Sequence, residues 1–211
     1  MIQSLEIALL GCCGWLRRLP VLMALTLLPV VAPAANPPAA PAAKAVEPER
    51  WLFIVEKSWH MHFRMPGLIQ SLEGMIKSGA QRQLHPGDSI GFWTFNQRLY
   101  TGDLPLHYWS DKSEQELPTQ LSAFLKRQKF EKAAKLEVVL PALKRLAQNS
   151  DAITFILFLS SQTSLQGTPF DAEINRVSGK WREEQRKQKM PFIVVLRAER
   201  GRLTSFSAGP A

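Results

Sequence analysis

The sequence predicts an α/β domain, a three-layer sandwich with helices on both faces of a central, mostly parallel sheet. Three observations carry that expectation. Continuous apolar runs at Trp51–Val55, Ala152–Leu159 and Pro191–Leu196 mark strands buried on both faces. The segments between them repeat their apolar residues at helical spacing, and Pro, Gly, Asn and Asp clusters separate the two kinds of segment. Strand alternating with helix is the pattern of a Rossmann-like sheet, in which ligands sit beyond the carboxyl ends of the central strands.

The chain has 211 residues, of which residues 1–35 read as a signal peptide. Arg17 and Arg18 precede an apolar run from Leu19 to Ala35, and Ala32, Pro33 and Ala34 offer a small-residue cleavage site. The run is shorter than the ~20 apolar residues of a spanning helix, and Pro29 and Pro33 interrupt it. The alternative is an uncleaved anchor that tethers the protein to a membrane, because the lead from Met1 to Gly14 is long and apolar. Cleavage near Ala34 or Ala35 removes both cysteines, Cys12 and Cys13, and with them thiol catalysis, disulfides and cysteine-ligated metals. Residues 36–49 form an Ala/Pro tether, and residues 50–211, about 160 in number, make one domain of ordinary size.

Within the domain, Trp51–Val55 is the first strand, and Pro66 opens a helix carrying Leu68, Ile69, Leu72, Met75 and Ile76 that Gly79 ends. Pro86-Gly87-Asp88 is a turn into a strand over Ser89–Phe95, with a short edge strand near Arg98–Thr101. Ser113 and Glu116 have the spacing of a capping box for a helix through Leu117, Leu121, Phe124 and Leu125. A further helix spans Lys132–Gln148, where Pro141 marks a kink or a start. Ala152–Leu159, a charged helix over Phe170–Lys189, the strand Pro191–Leu196 and an edge strand Arg202–Phe206 complete the order. The predicted binding rim is Glu56–His62, Ser160–Gly167 and Arg197–Gly201.

These residues resemble a von Willebrand factor type A domain over roughly residues 50–208. An apolar strand runs into Glu56-Lys57-Ser58-Trp59-His60, Pro86-Gly87-Asp88 leads into Ile90, Gly91 and Phe95, and Thr154–Leu159 runs into Ser160 and Ser161. The resemblance implies a metal held by Asp-x-Ser-x-Ser after the first strand, by a later threonine and by an aspartate after the fourth strand. Here those places hold Glu56, Ser58 and His60, then Ala133, Ala134 and Lys135, then Ser160 or Ser161. Hard cations need several oxygen ligands, and one carboxylate with Lys57 and Lys135 beside it does not supply them, so no metal is expected. His60 and His62 could share one side of a strand, but His85 and His107 lie in distant loops and no third ligand suggests itself.

No nucleophile elbow, zinc-protease, phosphate-loop or dinucleotide motif is present, so neither an enzyme nor a cofactor is implied. Ser58, Ser160 and Ser161 with His60 lack a well-placed orienting acid and read as capping hydroxyls. The formal charge of +8 becomes +7 when two arginines and one glutamate leave with the signal. Bases cluster at Lys126, Arg127, Lys129 and Lys132, while Arg182–Lys189 interleaves acids with bases as a solvated helix does. An exported chain does not meet nucleic acid, so that charge is assigned to an envelope setting. The sequence-based expectation is a secreted or periplasmic module that binds another protein through Glu56, Ser58, His60, Ser160 and Ser161 without a metal. The alternatives are a weakly metal-dependent adhesion domain, and a binder of anionic envelope polymer or membrane surface through Lys126, Arg127, Lys129 and Lys132.

Overall fold

A computed structural model of the chain describes residues 47–160 and 162–211. The predicted signal segment, most of the tether and Ser161 lie outside the described residues. Among the described residues the protein is an α/β structure built on an open seven-stranded sheet of order β3-β2-β1-β5-β6-β7, with β4 also paired to β2. The strands are β1 (Arg50–Glu56), β2 (Ser89–Phe95), β3 (Leu99–Tyr100), β4 (His107–Tyr108), β5 (Ala152–Leu159), β6 (Phe192–Glu199) and β7 (Arg202–Pro210).

The apolar runs behave as two-sided burial requires. β1 pairs in parallel with β2 and β5, and from Trp51 onward every residue of it is buried. Phe53 stacks between Phe92 and Phe158, at 5.9 and 6.5 Å between ring centroids, on the face covered by α2 (Met65–Lys77) and α4 (Asp111–Arg127). Leu52, Ile54, Phe155 and Leu157 point to the other face, where α5 (Leu140–Gln148) and α6 (Asp171–Gln188) contribute Leu143 and Ile174. Opposite-facing neighbours along one strand thus feed two separate cores.

The sheet is mixed, which corrects the expectation of a mostly parallel one: β5–β6, β6–β7, β2–β3 and β2–β4 are antiparallel. The cause is the stretch after β5. A helix that returned directly from the end of β5 would make the next strand parallel. Instead the chain doubles back before α6 begins. Thr168 and Pro169 share a cavity with Gly201 and Arg202 at the opposite end of the sheet, and the Phe170 ring lies tilted against Phe206 with 5.0 Å between centroids. Asn175 clamps this returning segment by accepting from the Leu165 N–H and donating to its carbonyl. α6 then climbs back and delivers Phe192 opposite Leu159, so β6 runs against β5. Arg200 and Gly201, both at positive φ, make the two-residue turn into β7, the geometry that suits a twisted hairpin.

Other boundaries moved for local reasons. The cap of α4 is Ser110, whose hydroxyl accepts from the Ser113 N–H, while the Ser113 hydroxyl donates to the Tyr108 carbonyl. Pro141 begins α5 rather than bending a longer helix, and Leu136–Val138 before it forms a 3-10 turn. Four consecutive residues, Gly79 to Arg82, have positive φ, so the short α3 (Gly79–Arg82) is a left-handed turn with three non-glycine residues in it. Gly67 lets α2 approach the start of β6, because a Cβ there would stand 2.6 Å from Met190 Sδ and 2.8 Å from the Lys189 carbonyl.

Candidate functional site

β1, β2 and β5 all end on one rim of the sheet, and the side chain at its centre is Glu56, the last residue of β1 and 1% exposed. A carboxylate buried there needs donors on both oxygens. Oε1 accepts from the Ser58 hydroxyl; Oε2 accepts from the Ser160 N–H at 2.6 Å and from the Thr163 hydroxyl at 2.7 Å. Arg64 is buried nearby. Burial draws it below its ordinary value, and the Glu56 charge opposes that shift.

Ser58 links this carboxylate to the surface. Its hydroxyl donates to Glu56 and accepts from the Met61 N–H at 3.2 Å, which makes it the cap of α1 (Trp59–His62). The buried Met61 side chain anchors α1, and Arg64 Nη1 donates to the His60 carbonyl at 2.7 Å. Held from below in this way, the one-turn helix turns Trp59 and Phe63 outward at 47% and 59% exposure. Their rings meet edge to face at 5.7 Å, Trp59 lies 4.1 Å from the His60 ring, and His62 contacts Phe63 at 5.9 Å and Phe130 at 6.4 Å.

The structure therefore divides the predicted site residues by depth. Glu56, Ser58 and Ser160 are joined in one buried hydrogen-bond network, and His60 is half-buried within the aromatic cluster above it. Ser161 lies outside the described residues. Ala133–Lys135 does run beside this loop, since Lys132 bridges to Ser58, its carbonyl accepts from the Trp59 N–H at 3.3 Å, and the Lys135 N–H donates to the Asn96 carbonyl. It brings no oxygen-bearing side chain to Glu56 there. Among the described residues no group of three or more His, Cys, Asp or Glu side chains is placed to hold a metal. His85 and His107 stand by the start of β2, at the opposite end from His60 and His62.

Lys126, Arg127, Lys129 and Lys132 are all exposed, and the last three edge one hollow of about 320 Å³ together with Lys57, Asn96 and Tyr100. Thr163, Arg64, Trp59 and Phe63 were not singled out from the sequence. For the aromatic pair the signal was available, because bulky rings in a loop at a strand's carboxyl end have little core to enter. Thr163 and Arg64 offered none, since their roles depend on how the chain returns to Glu56.

An α/β scaffold with a hydrogen-bonded carboxylate at the strand ends and an aromatic loop above it is what the fold and the rim define. No protein-family model matches the sequence, and no curated protein matches it. Among the described residues no helix is long and apolar enough to cross a membrane.

Proposed function

We propose that the protein is an exported, non-enzymatic interaction module of the von Willebrand type A kind, with a Rossmann-like core, that binds another protein through its rim loops without a bridging cation. The observation that carries this reading is the exposed Trp59–Phe63 pair standing on a loop whose foundation is a saturated buried carboxylate. Large aromatic side chains anchor interfaces because they bury much area while freezing few torsions. A divalent cation would need open oxygen ligands, and both Glu56 oxygens already receive protein donors. Glu56, Ser58 and Ser160 support the binding loops from below, and His60 meets the partner beside the two aromatic rings.

A photo-cross-linking residue at position 63 tests the reading in the cell envelope. One discrete adduct is expected there and none from Leu106, which is equally exposed on the β4 side of the molecule. Equal adducts from both positions would overturn it. Thermal melts with calcium or magnesium test the metal-free part: midpoints should stay within about a degree, and a rise of several degrees would restore the weakly metal-dependent alternative.

The exposure of Lys126, Arg127, Lys129 and Lys132 favours the second reading, a binder of anionic envelope polymer or membrane surface. Its signature is binding to polymer or anionic vesicles that Trp59→Ala leaves intact and that rising salt abolishes.

A further inference from the structure

Lys57 leaves β1 immediately after Glu56, yet its side chain joins a different neighbourhood. Nζ donates to Gln128 Oε1 at 3.1 Å and lies 3.6 Å from the centre of the Tyr100 ring. The residue is 6% exposed, and among the described residues no carboxylate forms an ion pair with it. An ammonium taken out of water without a counter-charge is costly, and a neutral amide with one aromatic face only softens that cost. The hollow of about 320 Å³ that Lys57 lines is edged by Arg127, Lys129 and Lys132 against a single acid, Glu131. Asn96 adds donor capacity: its Oδ1 accepts from the Arg98 N–H at 3.2 Å and faces the Tyr100 hydroxyl at 3.5 Å, and its NH2 group has no acceptor among the described residues.

We propose that this hollow is an oxyanion pocket that receives a carboxylate side chain of the protein bound at the rim, an inference that rests on the interaction reading above. The two surfaces are contiguous, because Lys132 edges the hollow while its backbone pairs with Ser58 and Trp59 under the aromatic cluster.

The test uses a short peptide alternating Glu and Gly, its Gln counterpart, and the domain-bearing chain as purified. The Glu peptide should bind with an affinity that falls as salt rises, and the Gln peptide should not bind. Lys57→Met should weaken binding about tenfold or more, as loss of one buried charge-assisted contact predicts. Because Lys57 is buried, Arg127→Gln combined with Lys132→Gln at the surface provides a second test, with a loss of about fivefold or more expected. Lys180→Met, on the exposed side of α6, should change affinity less than about twofold. The pocket is overturned if Lys180→Met costs as much as Lys57→Met, or if the folded protein does not prefer the Glu peptide. Adducts from position 63 with no peptide preference remove the pocket and keep the rim; peptide preference without adducts keeps an oxyanion pocket and removes the rim.

Discussion

Two buried carboxylates, Glu56 and Asp88, stand at opposite ends of the sheet, each 1% exposed, and they do different work. Asp88 takes backbone donors: Oδ1 accepts from the Glu49 N–H at 2.7 Å and Oδ2 from the His85 N–H at 2.8 Å, while its own carbonyl accepts from the Trp109 N–H. It welds the entry into β1 to the turn before β2 and to β4. Glu56 takes two hydroxyls and one N–H, all from loops that leave the strands. Backbone donors stay when side chains change, so Asp88 secures the scaffold. Side-chain donors belong to particular residues, so Glu56 organises a surface that substitution can retune.

Substitutions can break or sharpen that contrast. The largest effect is expected for Glu56→Ala, which strands two hydroxyls and one N–H. Stability should fall by about 4 kcal/mol, read as a lower urea midpoint at unchanged slope. Asp88→Ala should cost about 3 kcal/mol by the same measurement, yet the molecules that remain folded should still give the adduct from position 63. If that adduct vanishes in the folded fraction, the division between scaffold and rim is wrong. Thr163→Val removes one donor to Glu56 and should cost about 1 kcal/mol while weakening partner binding. Gln185→Met should work in the opposite direction. Among the described residues neither polar atom of that buried amide has a partner, so an apolar side chain of similar size should raise stability by about 1 kcal/mol. Trp59→Ala should move stability by less than about 0.5 kcal/mol and still remove most of the binding.

The contrast also explains what could be read in the residues. Asp88 announced itself, since Pro-Gly-Asp before an apolar run is local turn chemistry. The strands β1 and β5 did so equally, because two-sided burial demands unbroken apolar runs. Glu56 could be placed at the rim but not given its partners, because Ser160 and Thr163 lie more than a hundred residues away in sequence. The antiparallel half of the sheet was hidden for a similar reason. Nothing in the composition of Ser160–Phe170 distinguishes a loop that hands over to a helix at once from one that first doubles back. The α4 cap was misplaced by three residues because Ser110 and Ser113 both offer a hydroxyl, and only the Tyr108 carbonyl decides which one faces the helix.

The hairpin of β6 and β7 has a kinetic consequence. β6 and β7 meet across a two-residue turn, so their pairing closes almost no loop, whereas β1 and β5 pair Arg50 with Ile153 and must gather the whole intervening chain. The hairpin half of the sheet should protect its amides early in pulse-labelled exchange during refolding, and the parallel half late. The rim forms only when β1 and β5 lie side by side, so the surface proposed to bind a partner is among the last parts of the molecule to exist.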